Sequence, residues 1–199
     1  GVIYGDELYD FTRFLDLVSG VTRELAGIFG RQVSPDGTRL ACHNQQDGMV
    51  ILRLADLARE RVVNFAALLA AAPGREKGHA GPRRQAEFAR LVVANTKWSP
   101  DGSRLLLRMS GQYADDGTMR KDLFVVNADG SGLRRLAAAS PGFHHHSWHH
   151  DGERVLMGDR TEAREPRLYW LDVDRDTRTM ISDAPLAGHP CLSPDGRQI

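Results

Sequence analysis

Histidine is concentrated in one short stretch of this sequence. Residues 141–152 read PGFHHHSWHHDG, and five of the eight histidines in the protein fall within seven positions of it. A neutral imidazole can hold a transition metal, and near neutral pH it can act as a general acid or base. The same cluster could equally consist of packed or solvated side chains with no chemical role. The strands that carry these histidines, and the faces they occupy, decide between these alternatives.

The histidine stretch is one copy of a repeat. Three other segments share its pattern, an apolar residue followed by Ser-Pro-Asp-Gly, which reads His-His-Asp-Gly in the histidine stretch. The apolar residues are Val33, Trp98, Trp148 and Leu192. A second hairpin follows each of the first three copies, as in 123–136, where glycines favour a tight turn. Successive copies are 65, 50 and 44 residues apart, and a propeller blade repeats every ~40–45 residues. The sequence therefore predicts an all-β fold, a β-propeller of four-stranded antiparallel blades.

The repeat divides a single propeller domain, 1–199, into five segments. These are 1–29 (two strands ending one blade), 30–94 (a blade with a loop insertion), 95–143 and 144–187 (two whole blades) and 188–199 (the start of a further blade). The insertion lies between 63 and 92, where 64–72 and 83–91 are the candidate short helices. Because the sequence opens and stops inside a blade, we expect an incomplete ring.

The composition favours neither a nucleic-acid partner nor a membrane span. Lys and Arg total 26, as do Asp and Glu, so nothing favours nucleic acid or an anionic membrane. No apolar run approaches the roughly 18 residues of a membrane span. The sequence also lacks the GxSxG, P-loop and CxxC patterns of common enzyme sites.

Position within the repeat selects the candidate ligands. Four residues before the repeat serine, successive blades place Gly30, Asn95, His145 and His189. Equivalent positions on neighbouring inner strands converge on the central channel, so His145 and His189 are predicted to share a metal ion, with Asn95 as an oxygen donor or substrate contact. His146 is a further substrate-binding candidate, although it alternates away from His145 and could instead be packed.

The other aromatic residues of the repeat have structural interpretations. Trp98 and Trp148 are predicted to lie in the core between blades. His149 and His150 stand where the other copies have Ser-Pro, on the side of the tight turns, and are expected to be solvated.

The motifs resemble a known family. WSPDG (98–102) and LFVVNADGSGLRRL (123–136) are similar to the TolB-like (PD40) β-propeller repeat over roughly residues 11–199. HHSW (145–148) and GHPCLSPDG (188–196) resemble the oligogalacturonide lyase branch of these propellers. That second resemblance implies a histidine-held divalent metal, Mn among the options, and an acidic oligosaccharide substrate. By the same resemblance we expect a bacterial protein of the cytoplasm or the periplasm, and the sequence itself leaves the compartment open.

A lyase of this kind removes the proton α to a uronate carboxylate and then expels the oxygen at C4. His43 or Tyr113 could serve as the base, and Arg108 or Arg160 could bind the carboxylate. Two other classes remain open. One is a non-catalytic TolB-like propeller that docks a protein partner, and the other is a propeller that gates a peptidase whose hydrolase half is absent.

Overall fold

The computed structural model describes residues 2–6, 11–26, 28–44, 47–71, 92–112, 119–140, 143–159, 166–184, 190–193 and 195–199. Within these ranges the chain forms fifteen strands and one short helix. The strands make four antiparallel sheets, in which strands that are consecutive in sequence are hydrogen-bonded neighbours. The sheets are the blades that the repeat predicts, and we number them I to IV.

Blade I has three strands and the other blades have four. Blade I contains β1 (Val2–Asp6), β2 (Phe11–Leu15) and β3 (Thr22–Ala26). Blade II contains β4 (Phe29–Val33), β5 (Arg39–Asn44), β6 (Gly48–Arg53) and β7 (Arg59–Val63). Blade III contains β8 (Val92–Trp98), β9 (Arg104–Gln112), β10 (Met119–Asn127) and β11 (Arg134–Arg135). Blade IV contains β12 (His144–Trp148), β13 (Arg154–Asp159), β14 (Arg167–Asp172) and β15 (Thr177–Ser182). The prediction of two strands in 1–29 was wrong by one, because β1 pairs with β2.

Helix α1 (Phe65–Ala70) lies in the insertion of blade II. It begins after Asn64, whose side-chain oxygen accepts a hydrogen bond from the amide of Ala67 at 2.8 Å, as a helix N-cap does. The predicted helix at 64–72 is confirmed, and the second candidate, 83–91, lies outside the described residues. In the described ranges no helix has the length and apolar character needed to cross a membrane.

The Asp-Gly turns are closed by a repeated set of hydrogen bonds. After β8, Ser99 Oγ donates to Asp101 at 2.6 Å, and the same oxygen accepts from the amide of Arg104 at 2.9 Å. Asp101 also accepts from the amide of Ser103 at 3.0 Å, and Gly102 adopts a φ of 71°, which favours glycine. Equivalent serine–aspartate bonds occur at Ser34–Asp36 and Ser193–Asp195. The carboxylates of these turns are therefore satisfied locally.

The remaining Asp-Gly turn, at 151–152 in the histidine stretch, is closed differently. His149 Nδ1 lies 2.9 Å from the carboxylate of Asp151, and the His149 ring meets that of Trp170 edge-on at 5.3 Å. Because its side chain is only 16% exposed, the expectation that His149 is solvated was wrong. His150 is exposed as expected, and its Nε2 lies 3.1 Å from the carbonyl of Ser193.

The core lies between blades rather than inside them. Leu105 and Leu107 of β9 belong to the cluster shared with blade II, whereas Leu106 belongs to the cluster shared with blade IV. This alternation is the two-residue period of a strand whose two faces are both covered. Each sheet is therefore stabilised by its neighbours.

Both repeat tryptophans join neighbouring inner strands. Trp98 and Trp148 are 8% and 7% exposed and lie in these two clusters. Trp98 Nε1 donates to the carbonyl of Gln32 in blade II at 2.9 Å, and Trp148 Nε1 donates to that of Lys97 in blade III at 3.0 Å. Their predicted place in the core between blades is confirmed.

Candidate functional site

The inner strands share a β-bulge near the channel. The pairing of β4, β8 and β12 with the second strand of each blade shifts register before the repeat tryptophan or valine. In β8 and β12 the bulge contains Asn95 and His145, both with φ 51°. Asparagine and histidine are among the non-glycine residues enriched in this left-handed region. A bulge re-aims the side chain it carries, and both side chains are exposed. The predicted equivalence of these two positions is thus visible in the backbone.

His146 connects the two bulges. Its Nε2 donates to the carbonyl of Asn95 at 2.9 Å, and its ring lies 5.9 Å from that of Phe143. The side chain is only 2% exposed. Burial lowers the pKa of His146 to about 3, with the charge of Lys97 as the next cause, because both disfavour the imidazolium. His146 is therefore a neutral side chain packed between blades III and IV, the alternative that the sequence left open, and its role as a substrate contact stays a prediction.

Arg108 and His43 occupy the same place in successive blades. Each is the fifth residue of its strand, β9 or β5, and each pairs across to the start of its bulge. Burial lowers the pKa of His43 to about 4, and the positive charge of Arg108 lowers it further. His43 is therefore neutral at neutral pH, as a general base must be, but it is only 9% exposed. Its catalytic role and that of Arg108 remain predictions.

Lys97 and Arg108 lie on one face of blade III. Lys97 pairs with Leu106, and Arg108 is two residues beyond Leu106 on β9, so all three side chains share the face that meets blade IV. Both cations appear among the causes that lower the pKa of His146, in agreement with this placement. Burial lowers the pKa of Lys97 and of Arg108. Ser110, two residues further along β9, extends the same face.

We call this group of Lys97, Arg108 and Ser110, closed on the other side by His146, the basic slot. Among the described residues, Arg108 Nε and Ser110 Oγ are buried and have no hydrogen-bond partner. Sequence reasoning identified Arg108 but missed Lys97. The available signal was a lysine in an inner strand directly before the buried repeat tryptophan.

The structure describes only one of the two proposed metal ligands, His145. The rings of His144 and His145 meet edge-on with centroids 4.9 Å apart. In the part of the chain that the structure describes, no three His, Cys, Asp or Glu side chains come together as a metal site would require. These residues alone therefore do not form a complete ligand set. His189, Tyr113 and Arg160 lie outside the described residues, so a shared ion at His145 and His189 remains a prediction.

The fold is that of a β-propeller, and it is similar to solved propellers that include two TolB structures. TolB from Acinetobacter baumannii matches with a TM-score of 0.58 and 13% identity, over 98% of this chain and 43% of that chain. The putative TolB from Agrobacterium tumefaciens matches with a TM-score of 0.58 and 19% identity, over 99% and 61% of the respective chains. The acylaminoacyl peptidase of Pyrococcus horikoshii matches with a TM-score of 0.57 and 11% identity, over 86% and 28%. At these identities the likeness establishes the fold.

The same comparisons set the extent of the likeness. No family model matches the sequence, and no curated protein matches it. The chain spans 43% and 61% of the length of the two TolB chains. The resemblance to the oligogalacturonide lyase branch is carried by the two histidine-containing motifs alone.

Proposed function

We propose that this chain is a non-catalytic TolB-like propeller that binds a segment of a protein partner on its channel-side surface. We define that surface by Asn95 and His145, together with the half-buried Lys97 and Arg108 of the basic slot. The observation that carries the proposal is the pair of exposed bulge residues, which stand at equivalent places on adjacent inner strands.

The turn side is a poorer candidate for binding. Its Asp36 and Asp101 carboxylates already accept hydrogen bonds from the serine, the following side chain and the backbone of their own turns. A carboxylate that already accepts several hydrogen bonds within its own turn gains less from a further ligand. Binding on the channel side is therefore favoured.

A photo-crosslinking experiment tests the proposal. A photoreactive amino acid is introduced at His145 in one variant and at Asp101, on the turn side, in a matched control, and both are expressed in the native cell. We expect one partner to be captured from position 145 and not from position 101, with the crosslinked peptide identified by mass spectrometry. Equal capture from both positions, or none from 145, would contradict the proposal.

A metal-assisted β-elimination on uronate oligosaccharides is the second candidate function. It is favoured by a neutral His43 at the place in blade II that the cationic Arg108 occupies in blade III, and by the charge of Arg108 that helps to lower the pKa of His43. Arg108 could neutralise the uronate carboxylate, which acidifies the α proton, and His43 could remove that proton. A divalent metal, Mn among the options, would stabilise the resulting negative charge. His145 and His189 are its proposed ligands.

Ultraviolet absorbance of unsaturated uronates on pectin fragments tests the lyase hypothesis, with metal analysis of the purified protein alongside. We expect activity to be lost in Arg108→Gln and His43→Ala and retained in Arg175→Gln, an exposed control. Bound metal should be lost in His145→Ala. Activity that is absent from the parent protein loaded with Mn, or unchanged in both site variants, would refute this candidate.

A further inference from the structure

The basic slot holds two cations close together at the channel side of blade III. Lys97 and Arg108 lie diagonally across the β8–β9 pair, on the face that packs against β12. On an antiparallel pair such diagonal positions are roughly 7–8 Å apart, within reach of long side chains. A single anionic group could therefore contact both.

Two other half-buried arginines of the described residues have carboxylate partners. Arg135 Nε lies 2.6 Å from the buried Asp122, and Arg178 Nη1 lies 2.7 Å from the buried Asp159. By contrast, no carboxylate among the described residues lies within ion-pair distance of Lys97 or Arg108. Removing cations from water without a counter-charge is costly, and burial lowers the pKa of both groups accordingly. An incoming anion would offset that cost.

The polar atoms of the slot match a carboxylate. Arg108 Nε is buried and, among the described residues, unpartnered, and a guanidinium binds a carboxylate through two parallel hydrogen bonds. Lys97 adds a point charge. The hydroxyl of Ser110, also unpartnered in the described part of the chain, is a third donor. On the opposite side, His146 Nε2 is already engaged with Asn95 and does not compete.

We propose that the basic slot binds a glutamate or aspartate side chain of an acidic partner segment, and that this segment lies across the exposed bulge residues Asn95 and His145. The inference rests on the proposed docking function and specifies its ligand chemistry. Two cations that have no carboxylate partner among the described residues, beside exposed amide and imidazole groups, form a surface complementary to an acidic extended peptide.

Calorimetric titration of the purified chain with N-acetylated, C-amidated tetraglutamate tests the proposal, with tetraglutamine as the neutral control. We expect tetraglutamate alone to bind, and binding to weaken with added salt. Lys97→Gln and Arg108→Gln should each weaken it by about ten-fold or more, since hydrogen bonds to charged groups contribute ~1.5–3 kcal/mol. Arg108→Lys should retain part of the affinity, because lysine keeps the positive charge but lacks the two parallel donors of the guanidinium. Arg175→Gln, an exposed arginine paired with Asp172, should leave affinity unchanged.

Several outcomes would overturn the proposal. These are equal binding by the two slot variants and the parent, binding of tetraglutamine, or no binding by a parent chain whose circular dichroism shows it to be folded. Tetragalacturonate provides a second carboxylate source of matched charge, and tighter binding of this sugar would assign the slot to uronates instead. Crosslinking from position 145 with unchanged peptide affinity in the slot variants would refute the slot and leave the docking surface intact. Slot-dependent peptide binding without crosslinking from position 145 would support the slot and refute the docking function.

Discussion

Replacement of Trp148 by alanine should destabilise the protein without changing what it binds. The ring is 7% exposed in the core between blades III and IV, and the guanidinium carbon of Arg104 stands 5.4 Å from its centroid. Deleting a buried aromatic side chain costs about 3–5 kcal/mol. For a chain of 150–250 residues each kcal/mol lowers Tm by ~2–4 °C. We therefore expect Tm to fall by about 6–20 °C.

Trp148→Phe separates the packing from the hydrogen bond. Phenylalanine keeps most of the apolar volume but leaves the carbonyl of Lys97 without its donor at 3.0 Å, at an expected cost of about 1–3 kcal/mol. Urea and thermal unfolding followed by circular dichroism measure both variants. Trp170→Ala is the matched control, because Trp170 is only half-buried on β14 and should cost less than Trp148→Ala.

Two results would contradict the assignment of Trp148 to the core. If Trp148→Ala kept the parent Tm and yet lost affinity for tetraglutamate or for an oligogalacturonate, the ring would be a ligand platform. Equal losses in Trp148→Ala and Trp170→Ala would also contradict the reasoning, because burial would then not decide the cost.

Backbone, acid and buried-charge perturbations test other contacts of the fold. Gly48→Ala should lower Tm by more than Gly37→Ala, because both have positive φ but only at Gly48 would a Cβ collide with a carbonyl of β7; equal shifts in thermal denaturation would contradict this. The pKa of Asp101 is held at about 2 in the folded protein, chiefly by its serine hydrogen bond, against 3.8 ordinarily, so the free energy of unfolding should fall as pH drops from about 4 to 2. Urea titrations should show a shallower fall for Asp101→Asn, and an identical fall would refute the assignment. Arg178→Met should cost ~3–5 kcal/mol, because Asp159 is fully buried and loses its cation; an unchanged urea midpoint would show that the charge is compensated elsewhere.

The sequence by itself determined the blades, the turns and the tryptophan contacts. These features depend on residues close together in the chain. An Asp-Gly pair fixes the turn, since its serine, aspartate and glycine supply the bonds and the positive φ within five residues. Alternating apolar residues fix the two faces of β9, and Trp98 recurs at the same place in the repeat as Trp148. Local chemistry repeated at blade spacing was therefore sufficient to predict the architecture.

The candidate site was only partly predictable from the sequence. The alignment of the repeat copies predicted that Asn95 and His145 occupy equivalent positions, and their shared φ of 51° agrees with this prediction. His146 was predicted as a substrate contact, with packing as the alternative, and Lys97 was not predicted at all. It also treated His149 as solvated, although its ring packs against Trp170, a residue more distant in sequence.

Only the tertiary structure decided which side chains surround the slot, and the reason is the bulge. A strand alternates its side chains with a period of two, so one extra residue moves every later side chain to the other face. The bulge at Asn95 turns Trp98 toward blade II and leaves Lys97 on the face of Arg108. The matching bulge at His145 directs His146 onto the neighbouring carbonyl. No local pattern specifies where a bulge falls, because its position depends on pairing with another strand and packing against another blade.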